Sequence, residues 1–427
     1  MFKHKVKIYI YIVGRYEAQS MGKCIWIINQ YASHLETRHL ELAKVFAHNG
    51  YSVVVITSSF HHGKREYMFS QPVKFIQRGE NIDYIYLRSL PKYRSNGVKR
   101  VLNMLDFCRR FQLEQDHIAS EIGYPDFIIA SSAHPFVWEL GYSCARRFKA
   151  KFIAEFRDIW PLSLVQVQGV SPSHPLVKLF SVIEKRAYRR ADAIVSTMPY
   201  AWKHVCAVSG VDCGKIHWMP NGLNIKEIDH WDTEDTALPE DLSKYLVEHW
   251  CCVYEGSIAK CEHIDFLLDS FKYVKEPNIA LAIVGDGGEK EALQAYADRL
   301  GLTNLRFFPE VSKPQVREVL RHAGCCVATV HNLPVYEYGI SMNKISDYLY
   351  SGKPTIFACG VDNMVKDARH YTLPYDQPEL MARTIEEVYR LPKDKLEDLS
   401  LRGRQLIREQ YDFDVIGRKY LDMMEGL

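Results

Sequence analysis

The stretch Tyr338-Gly-Ile-Ser-Met-Asn-Lys-Ile-Ser-Asp-Tyr-Leu-Tyr-Ser-Gly-Lys-Pro-Thr-Ile356 predicts a loop, a helix and a strand in direct succession. A buried-strand pattern at residues 325–330 precedes it. Ser341 is a good candidate for the helix N-cap, and Gly352 and Pro354 end the helix before the next strand. A strand, a helix and another strand in this order are typical of a parallel α/β domain.

The start of this helix is a natural site for an anion, because its first amides lack partners inside the helix and its dipole favours negative charge. Ser341, Asn343 and Lys344 lie there, and we expect them to bind a diphosphate. Asp347 lies one turn further on, where its carboxylate could accept hydrogen bonds from sugar hydroxyls. The pattern therefore indicates a nucleotide-sugar site. The alternative is an ordinary surface helix, with Lys344 in water and Asp347 compensating the dipole.

Composition indicates a large folded protein. The chain has 427 residues, of which 47% are hydrophobic and 25% charged, so two domains of roughly 200 residues each are expected. The net charge of +2 argues against a general nucleic-acid binder. Eleven cysteines occur without a C-x-x-C pair, so a structural zinc site is not expected. Their adjacent pairs within strand-like runs are typical of buried thiols in a reducing cytoplasm.

The chain divides into an extension and two alternating strand–helix regions. Residues 1–20 are interpreted as a dispensable N-terminal extension, with an additional edge strand as the competing interpretation. Residues 21–222 repeat the strand–helix–strand pattern of a parallel sheet with right-handed crossovers. Residues 223–249 are acidic and aperiodic, which suits an interdomain connection, and residues 223–410 form the second domain. Residues 411–427 end the chain with a helix.

Residues after the strands of the second domain extend the predicted phosphate site. Gly256 directly follows a strand and lets backbone amides approach a ligand, and Lys260 can reach the same space. The parallel-sheet arrangement brings such strand ends to one edge. Gly285, in the Gly285-Asp-Gly-Gly288 turn, is expected near the donor sugar, although glycines at such turns are common without a ligand. A solvated Lys260 is the alternative.

Strand ends in the first domain carry a second group of candidates. His134, beside a proline turn, could hold or deprotonate an acceptor hydroxyl, because an unperturbed histidine titrates near neutrality. The alternative is a turn histidine bonded to backbone. Arg157 and Asp158 end another strand, where buried charges are costly without partners or a function. These two residues could equally pair with each other.

The chain resembles the retaining family 4 glycosyltransferases of GT-B fold, especially bacterial enzymes that assemble surface polysaccharides. The resemblance runs from about residue 21 to the C-terminus and rests on an ordered set of short motifs. These are residues 28–32, Arg38-His39, His134-Pro-Phe136, Arg157-Asp-Ile-Trp-Pro161, Pro220-Asn-Gly222, Glu255-Gly-Ser257, Val284-Gly-Asp-Gly-Gly288 and residues 341–354.

The resemblance implies two Rossmann-like parallel-sheet domains that face a cleft, with the C-terminal helix crossing back to the first domain. It implies a nucleotide-sugar in the second domain and places Arg38 and Arg157 on the acceptor side. Two departures stand out. The loop after the first strand lacks glycine, and the first of two glutamates that many members carry is replaced by Gly339. Whether Glu337 substitutes for it on the donor sugar stays open; Asp347 occupies the second position.

The implied reaction transfers a hexose or N-acetylhexosamine-type sugar from a nucleotide-sugar, expected to be UDP-linked, with retention of configuration. Amides, a helix dipole and two lysines can stabilise the leaving diphosphate, so no metal and no cofactor are expected. The one D-x-D sequence, Asp412-Phe-Asp414, is better explained as a helix cap. His134 and Asp158 are the candidate catalytic residues. A UDP-sugar epimerase of GT-B fold and a catalytically silent nucleotide-binding protein are the alternatives.

A segment rich in basic and apolar residues predicts that the acceptor lies at a membrane. Its residues 88–110 interleave arginines and lysines with leucines and aromatics, as do surfaces that bind anionic lipid. A saccharide acceptor carried on polyprenyl diphosphate at the inner face of the plasma membrane fits this pattern. A solvated helix face packed normally on its other side is the alternative.

Overall fold

The computed structural model of the chain describes residues 22–34, 38–95, 97–233 and 236–427. The extension predicted at residues 1–20 lies outside them. Apolar runs rich in β-branched residues form two separate sheets, each with helices on both faces. One hydrophobic cluster packs against each face of each sheet, so each domain has a core on both sides of its sheet. The α/β fold class with two parallel-sheet domains is confirmed.

The first sheet has eight strands in the order β10-β9-β8-β7-β1-β2-β6-β5. All neighbours are parallel except β5 and β6, which are antiparallel. Ile28 at the end of β1 pairs with Ile56 and Ala130, so the strand ends that precede the predicted site residues lie at one edge. A short hairpin, β3–β4, stands apart. The strands are β1 (Cys24–Ile28), β2 (Ser52–Ser58), β3 (Phe60–His61), β4 (Glu66–Tyr67), β5 (Val73–Gly79), β6 (Ile82–Leu87), β7 (Phe127–Ser131), β8 (Lys151–Phe156), β9 (Ala193–Ser196) and β10 (Ile216–Trp218).

Helices between these strands cover both faces of the sheet. Apolar residues at helical spacing, such as Phe107, Phe111 and Ile118, are fully buried against it. The helices are α1 (Arg38–His48), α2 (Val98–Ile122), α3 (Phe136–Phe148), α4 (Leu162–Gln166), α5 (Pro175–Arg190) and α6 (Ala201–Ser209).

The second sheet has six parallel strands in the order β13-β12-β11-β14-β15-β16. Its central strands are continuously apolar because helices cover both of their faces. The strands are β11 (Trp250–Glu255), β12 (Ile279–Val284), β13 (Leu305–Phe308), β14 (Cys325–Thr329), β15 (Thr355–Ala358) and β16 (Tyr371–Leu373). The helices are α7 (Ile225–Trp231), α8 (Glu240–Glu248), α9 (Ile264–Phe271), α10 (Lys290–Arg299), α11 (Lys313–His322), α12 (Asn343–Ser351), α13 (Met364–Asp367), α14 (Pro378–Tyr389), α15 (Lys393–Leu406) and α16 (Phe413–Glu425).

The C-terminal helix α16 returns to the first domain, as the resemblance implied. The chain crosses between the domains at two adjacent points, where Leu223 N donates to Tyr411 O and Phe413 N donates to Leu223 O. Asp412 caps α16 by accepting from Asp414 N, as the sequence predicted. Tyr420 then reaches into the first domain and donates a 2.6 Å hydrogen bond to the buried carboxylate of Glu155.

Several local predictions were wrong. Residues 223–249 are not aperiodic, since they form α7 and α8, whose apolar residues pack into the second core. The pairing of β5 with β6 and the β3–β4 hairpin were missed. Edge strands with mixed burial carry a weak apolar signal, so their sequence resembles a loop.

The cysteines divide into two groups. The adjacent pairs at 251–252 and 325–326 are buried free thiols, as predicted. Cys206 and Cys213, however, form a disulfide between the end of α6 and the turn before β10, which the sequence did not indicate. Among the described residues, every helix is too short or too polar to cross a membrane.

Candidate functional site

Two glycines hold the loops after β11 and β12 in contact. Gly256 and Gly285 have φ values of +127° and +157°, a region that side chains disfavour. A Cβ atom on Gly285 would lie 1.9 Å from the carbonyl oxygen of Gly256. Gly285 is therefore required for loop packing, and its contact with a donor sugar stays a prediction.

The Lys344 ammonium lies directly over Gly256. A Cβ atom placed on Gly256 would be 3.1 Å from Lys344 Nζ, so a larger residue there would force the tip of the lysine to shift. Lys344 Nζ donates to the hydroxyl of Tyr254 and to Glu262 Oε2, each at 2.7 Å, and its side chain is 9% exposed. The predicted convergence of the strand-end glycine with the first turn of α12 is thus present.

The start of α12 differs from the prediction in one respect. The N-cap is Met342, which makes no side-chain capping bond, and the helix begins at Asn343. Ser341 is therefore not the cap, because it lies one residue before the cap position; its carbonyl instead accepts from Asn221 Nδ2 at 3.4 Å. Asn343 is exposed at the open end of the helix, where the first amides lack partners inside the helix, except that of Ile345, which donates to the Met342 carbonyl at 3.3 Å.

Lys260 lies in the turn that contacts Lys344, but its own side chain points to solvent. It opens the short 3₁₀ turn Lys260–Glu262, and Glu262 is the residue that holds Lys344. The Lys260 side chain is exposed and makes no hydrogen bond or ion pair with the part of the chain that the structure describes. The two lysines therefore belong to touching segments, and only Lys344 is fixed at the glycine.

Glu255 lies close enough to Lys344 and to Asp347 for both charges to act on its carboxyl group. Burial raises the pKa of Asp347 to about 6, with Arg317 and Lys313 opposing the shift. Burial and then the charge of Asp347 raise the pKa of Glu255 to about 7, while Lys344 lowers it. Glu255 was missed as a site residue, although it directly precedes Gly256 in the sequence. Both carboxyls exchange protons near neutral pH.

The 3₁₀ segment Pro334–Tyr338 connects the two domains. Its Tyr338 carbonyl accepts from Tyr200 N at 3.0 Å, and Val335 packs into the first domain's core. Glu337 lies in this segment and is exposed. Its position next to the interdomain contact leaves its role on the donor sugar a prediction.

His134 is fully buried at the end of β7. Its Nε2 lies 2.5 Å from Gln30 Oε1, and its Nδ1 has no hydrogen-bond partner within the described part of the chain. Burial, with a smaller effect of Arg100, lowers the pKa of His134 to about 3. The expectation of ordinary titration near neutrality is therefore wrong, because the apolar surroundings disfavour the charged ring. His134 is neutral at physiological pH.

Arg157 and Asp158 lie at the end of β8 on the side of the second domain. Both are exposed, yet surrounding protein desolvates them, so that the pKa of Arg157 is lowered and that of Asp158 is raised. Burial raises the pKa of Tyr336, a residue of the interdomain segment, and the charge of Asp158 is among the smaller contributions to that shift. Asp158 therefore faces the junction at which donor and acceptor sides meet.

Arg38 is buried, and it lies close enough to Arg157 for its charge to add to the effect of burial in lowering the pKa of Arg157. Its guanidinium donates to the carbonyl oxygens of Met219, at 2.8 Å, and Pro220, and lies 3.4 Å from Glu155 Oε2. The side chain is 4% exposed. The structure thus does not bring Arg38 to the cleft; instead it binds the end of the first domain where the chain leaves for the second.

Comparisons with known proteins agree with this arrangement. A family model described as Glycosyltransferase Family 4 matches residues 35–227, and a second, described as Glycosyl transferases group 1, matches residues 251–390. WcaI of Escherichia coli K12, provisionally named a colanic acid biosynthesis glycosyl transferase, is 24% identical over 162 residues, which span 37% of this chain and 38% of that relative.

Two solved structures are similar over nearly the whole chain. Anabaena Alr3699/HepE, solved in complex with UDP-glucose, superposes with a TM-score of 0.65 at 14% identity, over 95% of this chain and 100% of that one. WaaG, a glycosyltransferase involved in lipopolysaccharide biosynthesis, has a TM-score of 0.63 at 13% identity, again over 95% and 100%. These similarities identify the two-domain fold.

Proposed function

Because this chain belongs to the family 4 glycosyltransferases of GT-B fold, we propose that it transfers a hexose or N-acetylhexosamine-type sugar from a nucleotide-sugar to a saccharide acceptor in surface-polysaccharide synthesis. The observation that carries this proposal is the Lys344 ammonium, held over Gly256 at the open end of α12. A cation, a close backbone approach and free helix amides together suit a diphosphate.

The donor is proposed to be a UDP-sugar. UDP and UDP-glucose occupy the similar Anabaena structure, which supports this choice of nucleotide. The diphosphate would lie against Lys344 and the first amides of α12, with Lys260 reaching it from solvent. Asp347, one turn along α12, is suited to accept hydrogen bonds from hydroxyls of the ribose or sugar. Glu337 and Gly285 are the further candidates on the sugar side.

The reaction is proposed to retain the anomeric configuration without a metal. As the glycosidic bond breaks, negative charge accumulates on the departing diphosphate, and a fixed ammonium and aligned amides stabilise it. The acceptor then attacks from the face that the diphosphate leaves, so no enzymic nucleophile is required. The sole D-x-D sequence is Asp412-Phe-Asp414, and its first aspartate already caps α16.

Asp158 and His134 are the proposed acceptor-side residues. The raised pKa of Asp158 makes its carboxylate a better proton acceptor than an ordinary aspartate, and it faces the interdomain segment. His134 would act as a neutral hydrogen-bonding group, since its low pKa makes it a weak base. Arg157 would stabilise an anionic acceptor beside Asp158.

A lipid-linked acceptor at an anionic membrane is proposed from the start of α2. Leu90, Leu102 and Leu105 are 43%, 49% and 44% exposed, and exposed Lys92 and Lys99 lie among them. Apolar side chains with interspersed cations can enter the interface of an anionic bilayer. Arg109 and Arg110 contribute less charge, because both pair with Asp106.

Membrane association is tested by flotation with vesicles of anionic and of neutral lipid at low salt. We expect the wild-type chain to float with anionic vesicles and a Leu102→Ser/Leu105→Ser variant to remain in the dense fraction. Leu401→Ser, which alters a 67% exposed leucine of α15, is the control and should float. Equal flotation of all three proteins, or none, would remove the membrane from the proposal.

Donor choice is tested by thermal shift with UDP-, GDP- and dTDP-sugars, because a bound ligand stabilises the fold by mass action, by about 2.7 kcal/mol at a hundredfold excess over Kd. The UDP-sugars should raise the melting temperature most. Product analysis without acceptor then separates the transferase from an epimerase, since an epimerase rearranges its sugar alone. Rearranged sugar under those conditions would contradict the proposal.

A further inference from the structure

A cluster of histidines and aspartates lies at the edge of the second sheet, beside the turn that holds Lys344. His263 precedes α9, Asp265 lies in its first turn, His331 follows β14, and Asp376 follows β16. The rings of His263 and His331 stack with centroids 4.0 Å apart. One donor atom from each of His263, Asp265 and His331 can be chosen so that all lie within 4.8 Å of one another.

The distances within this cluster suit a shared ion better than direct contact. His263 Nε2 lies 4.0 Å from Asp265 Oδ1 and 3.7 Å from Asp376 Oδ1, both beyond a hydrogen bond. Ligand bonds of about 2.0–2.2 Å in tetrahedral geometry separate donor atoms by about 3.4 Å. A shared cation therefore requires these donor atoms to move closer together and the stacked rings of His263 and His331 to turn, so that one nitrogen of each faces the ion. Paired imidazoles with carboxylates favour zinc and related transition metals.

The backbone holds the cluster in position. Thr329 Oγ1, at the end of β14, lies 2.6 Å from the carbonyl of Glu262 and 3.0 Å from that of His263. His263 adopts φ +51°, a conformation that a residue with a side chain seldom takes without external support. The turn Lys260–Glu262 is thus fixed to β14 on the same side as His331. A ligand at His263 would act directly on the residue next to Glu262.

We propose that His263, His331 and Asp265, with Asp376 as a fourth ligand, form a binding site for a divalent transition-metal ion such as Zn²⁺. The ion would fix the turn that carries Glu262, and through Glu262 the position of Lys344. This role is structural and takes no part in bond breaking. It therefore goes beyond the proposed transferase activity and is testable without any sugar donor.

The experiment measures Zn²⁺ binding to the metal-free full-length chain by calorimetry, in the absence of nucleotide. We expect one saturable site in the wild-type protein. Asp265→Asn and His331→Gln should each weaken it by at least about tenfold. Asp265 is 53% exposed, so its variant should fold normally. His48→Gln, which alters an exposed histidine at the end of α1, is the matched control and should bind as the wild type does.

Cobalt provides a second readout. Co²⁺ in a low-symmetry site of nitrogen and oxygen ligands absorbs in the visible range, and we expect this absorption in the wild type and His48→Gln but not in His331→Gln. A circular-dichroism melt of each metal-free variant verifies folding. Absence of saturable Zn²⁺ binding by the wild type would overturn the proposal. Equal binding by folded Asp265→Asn, His331→Gln and His48→Gln would overturn it as well.

Discussion

Replacing Lys344 by methionine tests the proposed donor site most directly. Methionine keeps much of the length and apolar stem of lysine but removes the charge that lies over Gly256. A hydrogen bond to a charged group contributes about 1.5–3 kcal/mol. Since about 1.4 kcal/mol corresponds to a tenfold change, UDP should bind Lys344→Met about 10- to 150-fold more weakly than the wild type.

The pairing of Lys344 with Glu262 complicates this estimate. Their 2.7 Å ion pair has side chains only 9% and 13% exposed, so removing the lysine leaves a carboxylate without its partner beside the diphosphate. The single variant therefore combines a lost attraction with a new repulsion. Lys344→Met/Glu262→Gln removes both charges, and we expect it to bind UDP more tightly than Lys344→Met but less tightly than the wild type.

The assay is calorimetric titration with UDP at constant ionic strength, because exposed charges are screened by salt. Lys272→Met is the matched control, since it removes a lysine that pairs with Asp269 on the surface of the same domain. Its affinity for UDP should equal that of the wild type. The reasoning is refuted if a folded Lys344→Met protein binds UDP with unchanged affinity.

Three further outcomes are expected. Burial raises the pKa of Glu255 from 4.5 to about 7, so the folded state retains a proton that the unfolded chain releases. Its contribution to stability is complete below pH 4.5 and is lost as pH rises through 7. In urea unfolding at several pH values, the free energy of unfolding should therefore fall less steeply with pH for Glu255→Gln than for the wild type. Parallel pH dependences for the two proteins would contradict this. Tyr420→Phe removes a buried 2.6 Å hydrogen bond to a carboxylate and should lower the free energy of unfolding of the first domain by about 1.5–3 kcal/mol in urea denaturation, whereas an unchanged midpoint would show that the bond contributes nothing. Gly285→Ala should abolish UDP binding or solubility, because its Cβ would meet the Gly256 carbonyl at 1.9 Å; normal UDP titration would show that the loops separate easily.

Strands and helices with a strong apolar pattern could be predicted from the sequence. Helix α5 (Pro175–Arg190) and strand β13 (Leu305–Phe308) carry such signals, because proline, charge and apolar runs mark their ends. Strand β5 could not be predicted in this way. It pairs antiparallel at the edge of the sheet, where only one neighbour constrains it and its side chains are largely accessible.

The approach of Lys344 to Gly256 was also predictable, because strand ends of a parallel sheet share an edge. The protein group that pairs with Lys344 could not be predicted. Glu262 holds Lys344 through a contact between residues 82 positions apart, and no local pattern identifies it. The pKa of His134 likewise depends on complete burial at the end of β7, which a proline turn in the sequence does not reveal.

The balance of charge around Lys344 limits how a donor can bind. The ammonium of Lys344 pairs with the carboxylate of Glu262 and opposes the rise in the pKa of Glu255, which burial brings to about 7. With Glu262 and Glu255 both ionised, two negative charges lie beside the single charge of Lys344, and this opposes the entry of a diphosphate. Lys344 Nζ has three N–H donors and uses two of them within the protein, on Tyr254 and Glu262, so one remains for a diphosphate. We therefore expect tighter donor binding when Glu255 holds its proton, or when the Lys260–Glu262 turn moves the Glu262 carboxylate away from Lys344.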